Sequence, residues 1–156
     1  EWFLQNVWDE DLSAKTELRI TGDYSEEVLK KLNSKKKYKN VFATGIVENI
    51  KPVIAKARAA IVPLLHGSGT RLKCIEAMAL KTQIISTSKG AEGIDHNDSI
   101  IITDDAGSFK NKLLMIINGE LDYTDEAFKI FTAKYSLTPN AQIFNNIITQ
   151  LKKKQC

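Results

Sequence analysis

Five short apolar runs recur along the chain with helical patterns between them, and this alternation constrains the fold more than any single residue does. LRITG (18–22), VFATG (41–45), AIVPL (60–64), QIIST (83–87) and SIIIT (99–103) are each five residues long, rich in Ile, Val and Thr. Each closes on a turn-former or a polar residue, as strands do. Between them lie EEVLKKL (26–32), IKPVIAKARA (50–59) and GTRLKCIEAMALK (69–81), and AGSFKNKLLMIINGE (106–120) follows the last run. DEAFKIFTAKY and NAQIFNNIITQLKKK predict two terminal helices, with Pro139 near the start of the second. Strand and helix in alternation predict an α/β fold: a parallel sheet, right-handed crossovers and helices on both faces. Repeats, low-complexity tracts and long linkers are absent.

The 156 residues suit one compact domain. No apolar run approaches the roughly 18 residues that span a bilayer. A net charge of +3 is mild. The lysine runs 35–37 and 152–154 read as solvated surface rather than as a nucleic-acid or anionic-membrane patch. Two cysteines, Cys74 and Cys156, make neither a disulfide framework nor a metal site, so a reducing cytoplasm is expected. The opening EWFLQNVWDEDL lacks the basic start, apolar centre and cleavage site of a secretory leader. It reads as an amphipathic helix carrying Trp2, Phe3, Val7 and Trp8, and so as the middle of a longer protein.

In an open parallel sheet, ligands bind at the carboxyl ends of the strands. Three turns qualify, after Gly22, after Gly45 and after Leu64, and the last is the richest. There HGSGTRLKCIEAMA places His66, Gly67, Ser68, Gly69 and Thr70 ahead of a helix whose first turn carries Arg71 and Lys73. A helix N-terminus is partially positive and prefers acids. Two cations there must reach into solvent or face an anion from outside the chain. Gly67 and Gly69 let a ligand approach the backbone, and free N–H groups beyond them suit a phosphate. Arg71 could supply a planar fork and Lys73 a point charge to a diphosphate. Glu76, among Ile75, Ala77, Met78 and Ala79, reads as a poorly solvated carboxylate. It needs either Lys73 three residues earlier or the paired hydroxyls of a ribose. On residues alone, a phosphate site and an ordinary glycine-rich turn both stay open, because neither GxGxxG nor GxxxxGK[ST] is present.

The string GSGTRLKCIEAMALKTQIISTSKGAEGI resembles the donor-binding segment of retaining glycosyltransferases of the GT-B type, the glycosyl transferases group 1 family. LRITG, VFATGIVENI and ARAAIVPL resemble its flanking strands, so the likeness covers residues 1–150. It implies a Rossmann-like domain, the C-terminal half of a two-domain protein, here without its opening strand and without the N-terminal domain that binds the acceptor. The family spaces two glutamates with seven residues between them. Glu76 matches the second, which holds the ribose, while Ser68 stands where the first, a contact to the donor sugar, is expected. Gly45, Ile46 and Val47 are implied for the base.

The resemblance further implies transfer of a glycosyl group from a nucleoside diphosphate sugar to a glycan or lipid-linked acceptor, with retention and no metal or other cofactor. Arg71, Lys73 and Glu76 are the expected catalytic set, and the amides and side chains from His66 to Thr70 complete the expected donor site. Surface or envelope polysaccharide assembly in a bacterial cytoplasm is the implied setting, with room for peripheral association of the full-length protein at the inner membrane face and no nucleic-acid partner. Alternatives are a GT-B-like sugar-nucleotide epimerase and a degenerate, non-catalytic α/β interaction module. His96 is expected at the surface, and Cys74 is expected to be a small buried residue rather than a nucleophile.

Overall fold

The computed structural model describes the backbone of residues 1–154 and the side chains of residues 1–150. All five apolar runs form strands: β1 (Leu18–Ile20), β2 (Val41–Ala43), β3 (Ala60–Val62), β4 (Ile84–Ser86) and β5 (Ile100–Ile102). They are parallel, as the alternation predicts, but the sheet comes in two pieces. β1 pairs only with β2, and β3, β4 and β5 pair in that order. No ladder joins β1 or β2 to β3, so each piece keeps an unpaired edge.

Both pieces nevertheless rest on one core. Side chains alternate across a strand, which puts Ile61, Ile85 and Ile101 on one face together with Leu18, Ile20, Val41 and Ala43 from the other piece. This face is covered by α1 (Trp2–Asn6), α2 (Glu10–Lys15), α3 (Ser25–Asn33) and α6 (Ala106–Asn118). Val62, Ile84 and Ile100 point the other way, toward α5 (Leu72–Ala79) and α7 (Thr124–Ile130), with Ile54 of α4 (Lys51–Lys56) packed alongside. β4 is buried along its whole length, which is why QIIST lacks the polar alternation of an exposed strand.

The opening apolar stretch is two helices rather than one. The Asp9 carboxylate accepts the Leu12 N–H at 3.1 Å, which caps a new helix and breaks the first at Val7. Trp2 and Phe3 meet Phe109 of α6 edge to face, at 5.9 and 5.6 Å between ring centres. α6 itself is bounded by a local signal at each end. Asp105 caps the Ser108 N–H at 2.8 Å, and Gly119, at φ 81°, closes the helix in the left-handed region. Of the two predicted terminal helices, the first ends in a π-helical turn over Phe131–Tyr135 and the second is α8 (Leu137–Lys154). No helix among the described residues is long and apolar enough to cross a membrane.

Candidate functional site

The turn between β3 and α5 stands at the carboxyl end of β3, and residues 65–70 are all exposed. Gly67 and Gly69 have φ values of 122° and 94°, a region that L side chains avoid. Helix α5 starts at Leu72, three residues into the 69–81 pattern, and has neither a capping side chain nor an acid in its first turn. Among the described residues, the backbone N–H groups of Ser68, Gly69 and Thr70 donate to no other backbone group. An exposed loop with free amides at a helix N-terminus is a ready anion site.

Arg71 does neither of the two things expected of it. It is only 6% exposed, and its guanidinium turns back under the loop instead of presenting a fork to solvent. Nη1 donates to the Ser68 carbonyl at 3.3 Å, and Nη2 donates to the Gly67 carbonyl at 3.2 Å and to Glu92 Oε2 at 3.0 Å. Glu92 lies on the turn after β4 and also receives Lys89 at 2.7 Å. Lys89 first, by hydrogen bond and charge, and Arg71 second hold the Glu92 carboxyl below its ordinary range. Sequence reading missed Glu92. Its only local signal is the GAEG stretch, where an acid stands between two glycines.

Glu76 is also corrected. It is exposed, not poorly solvated, and makes no ion pair with Lys73 among the described residues. The helical period explains this, because α5 buries Cys74, Ala77 and Met78 and so turns Leu72, Lys73 and Glu76 outward. Leu72 is 60% exposed on that face, with both charges beside it. A cation and a carboxylate are thus both exposed on the outward face of the helix into which the glycine loop leads.

Behind the loop the floor is polar and closed. Ser86 and Thr87 are fully buried, and their hydroxyls donate to the Val62 and Leu64 carbonyls, tying β4 to the chain that leads into the loop. Cys74 donates to the Gly90 carbonyl at 3.5 Å, and burial pushes its thiol up to about 11 against the pull of Arg71 and Lys73. It stays protonated and structural, as expected. His66 is exposed on the loop, whereas His96, expected at the surface, is half-buried with Nδ1 facing no partner.

Gly45, Ile46 and Val47 follow β2 in the other piece of the sheet. Gly45 has φ 64°, donates its N–H to Ser25 Oγ at 3.0 Å and accepts from the Gly22 N–H at 2.8 Å, so the turns after β1 and β2 are joined. Ile46 is 77% exposed there. No hydrogen bond or ion pair among the described residues links this turn to the glycine loop. A cavity of about 740 Å³ lined by Glu10, Tyr38, Asn40 and Phe42 sits at the amino end of β2, away from all these loops. The spacing Asp9-Glu10-Asp11 matches an Asp-x-Asp metal motif, but Asp9 caps α2 and both aspartates pair with Lys110.

The family model described as "Glycosyl transferases group 1" matches residues 1–119, which contain every strand, the glycine loop and Glu92. The chain belongs to that family. It is a glycosyltransferase-family α/β domain built on parallel strands flanked by helices. The curated proteins searched contain no match to it.

Proposed function

We propose that this glycosyltransferase chain binds the nucleoside diphosphate sugar donor at the glycine loop and the outward face of α5. The observation that carries the reading is the exposure of three features where the glycine loop runs into α5 and along its outward face: the free amides of Ser68, Gly69 and Thr70, Lys73, and Glu76. Each matches one part of a sugar nucleotide. The amides and Lys73 face the diphosphate, and Glu76 accepts the two ribose hydroxyls side by side. Ile46 and Val47, with the Gly45 turn, take the base. Ser68 and His66 lie nearest the sugar.

Departure of the diphosphate is the step to be accelerated. Negative charge grows on it as the glycosidic bond breaks, so donors fixed in advance at the loop stabilise the transition state more than the bound donor. Transfer proceeds with retention and draws on no metal or other cofactor. The acceptor, a glycan or lipid-linked saccharide, is bound by a domain outside these 156 residues, with peripheral contact at the inner membrane face. The same reading calls for a further parallel strand from outside these residues, paired with the edges that β1 and β3 leave free. On this reading the isolated chain turns over no sugar nucleotide, and transfer of the glycosyl group onto any acceptor by the chain alone, with release of the nucleoside diphosphate, would contradict it.

The direct test is calorimetric titration of the chain with UDP, GDP and ADP. Glu76→Ala should weaken binding by about 1–3 kcal/mol, the cost of losing charge-assisted bonds to the ribose. Because Glu76 is exposed, its removal leaves the fold intact. Unchanged affinity in a folded Glu76→Ala variant would sink the ribose assignment. Absence of any binding would mean that a strand and domain outside these residues complete the pocket or that the interaction-module reading holds, and titration of the full-length protein separates the two.

A further inference from the structure

A guanidinium ahead of a helix N-terminus, buried and with its Nε facing no partner, is costly twice over. The helix dipole repels it, and taking it out of water costs several kcal/mol unless its donors are satisfied. Such a group persists where it holds the backbone in a single arrangement. The geometry around Arg71 indicates which one.

In a trans peptide the C=O and N–H of one unit point in opposite directions. Arg71 draws the carbonyls of Gly67 and Ser68 toward the buried side. The N–H groups in those same two units, on Ser68 and Gly69, are therefore turned away from the guanidinium and toward solvent. The positive φ values of Gly67 and Gly69 permit this reversal. Glu92 supplies the counter-charge, and its side chain, 57% exposed, is joined to the turn it stands on through Lys89.

We infer that Arg71 is a positioning residue and Glu92 its anchor, so that together they aim the loop amides outward for the donor diphosphate. This rests on the donor reading above for its purpose, though not for its geometry. Arg71 then assists the reaction without touching the substrate, and Lys73 is the cation that meets it. A lysine at position 71 could not replace it, since one ammonium lacks the planar fork that spans two carbonyls and a carboxylate.

The test pairs Glu92→Ala and Glu92→Gln with Arg71→Lys, measured by backbone amide order parameters and by nucleoside diphosphate titration. In the parent chain, residues 67–70 should be as ordered as the strands, near 0.85. In Glu92→Ala they should fall below about 0.6 while the strands keep their values. Affinity for the nucleoside diphosphate should drop about tenfold to a hundredfold, the equivalent of one hydrogen bond to a charged group. Glu92→Gln, which keeps an acceptor, should lie between, and Arg71→Lys should resemble Glu92→Ala. A loop equally ordered in the parent and in a folded Glu92→Ala variant would overturn the brace. The order parameters need no ligand, so they decide it even if the parent binds no nucleotide, an outcome that would count against the donor reading alone.

Discussion

Phe109→Ala is expected to destabilise the chain by about 3–5 kcal/mol, the range for removing a buried aromatic ring from a core that cannot close over the gap. Phe109 is fully buried on α6 and is the ring against which both Trp2 and Phe3 stack edge to face. Its loss therefore removes two aromatic contacts as well as its own burial. The vacancy would open under Ile85 and Ile101, in the core where the two pieces of the sheet meet. Chemical denaturation of the purified variant measures the effect, read from the shift in midpoint at constant slope. A loss under about 1 kcal/mol would mean that α1 collapses into the space and that the stacking contributes little. Helix α5, into which the glycine loop leads, packs on the opposite face of β3–β5, so the folded fraction of the variant should retain parental nucleotide affinity.

Gly90→Ala should cost about 3 kcal/mol, at the upper end of the range for overpacking a rigid site. A Cβ built there would fall well inside contact distance of the Val62 carbonyl and Ser86 Oγ, with Val62 Cγ1 at 3.1 Å. None of these can retreat cheaply. The Val62 carbonyl already accepts Ser86 Oγ at 3.0 Å, and the Gly90 N–H is bound to Thr87 at 3.0 Å through its carbonyl and 3.1 Å through its hydroxyl. Relief comes only by lifting the turn that carries Glu92, two residues on, away from Arg71. The variant is therefore expected to melt about 6–12 °C below the parent, using about 2–4 °C per kcal/mol at this size, and to bind nucleoside diphosphate more weakly even when folded. Gly93→Ala is the control. Nothing lies within 4 Å of its Cβ, so only its φ of 78° resists the change, at about 1–2 kcal/mol. Equal losses at positions 90 and 93 would show that close packing at Gly90 is not what the turn depends on.

A turn of glycines leading into a helix N-terminus is ordinarily a place for anions. Here the same turn carries its own internal cation, directed inward, and a carboxylate from a separate turn that keeps it there. Arg71 and Lys73, two residues apart, have opposite fates because the helix begins between them. Position 71 lies before the first helical residue and can fold back, whereas position 73 is already on the helical surface and follows its period.

Much of this protein was written in local pattern. The five apolar runs, each closed by a turn-former, set the strands, and their alternation with helical segments set a parallel α/β arrangement. The string from Gly67 to Ile94 carried the family likeness, and the positive φ of Gly67 and Gly69 follows from residue type. These are properties of neighbours along the chain, since strand period, helix period and turn chemistry act over a few residues.

The inward turn of Arg71, its bond to Glu92 across 21 residues, the exposure of Glu76 and the tight seat of Gly90 against Val62 were decided by the tertiary structure. So was the division of the sheet into two pieces on one core. Composition and spacing show that a cation stands beside a glycine loop. They do not show which way it points, because that depends on the desolvation and pairing energy it meets in the fold, and the partner that settles it comes from another strand's turn.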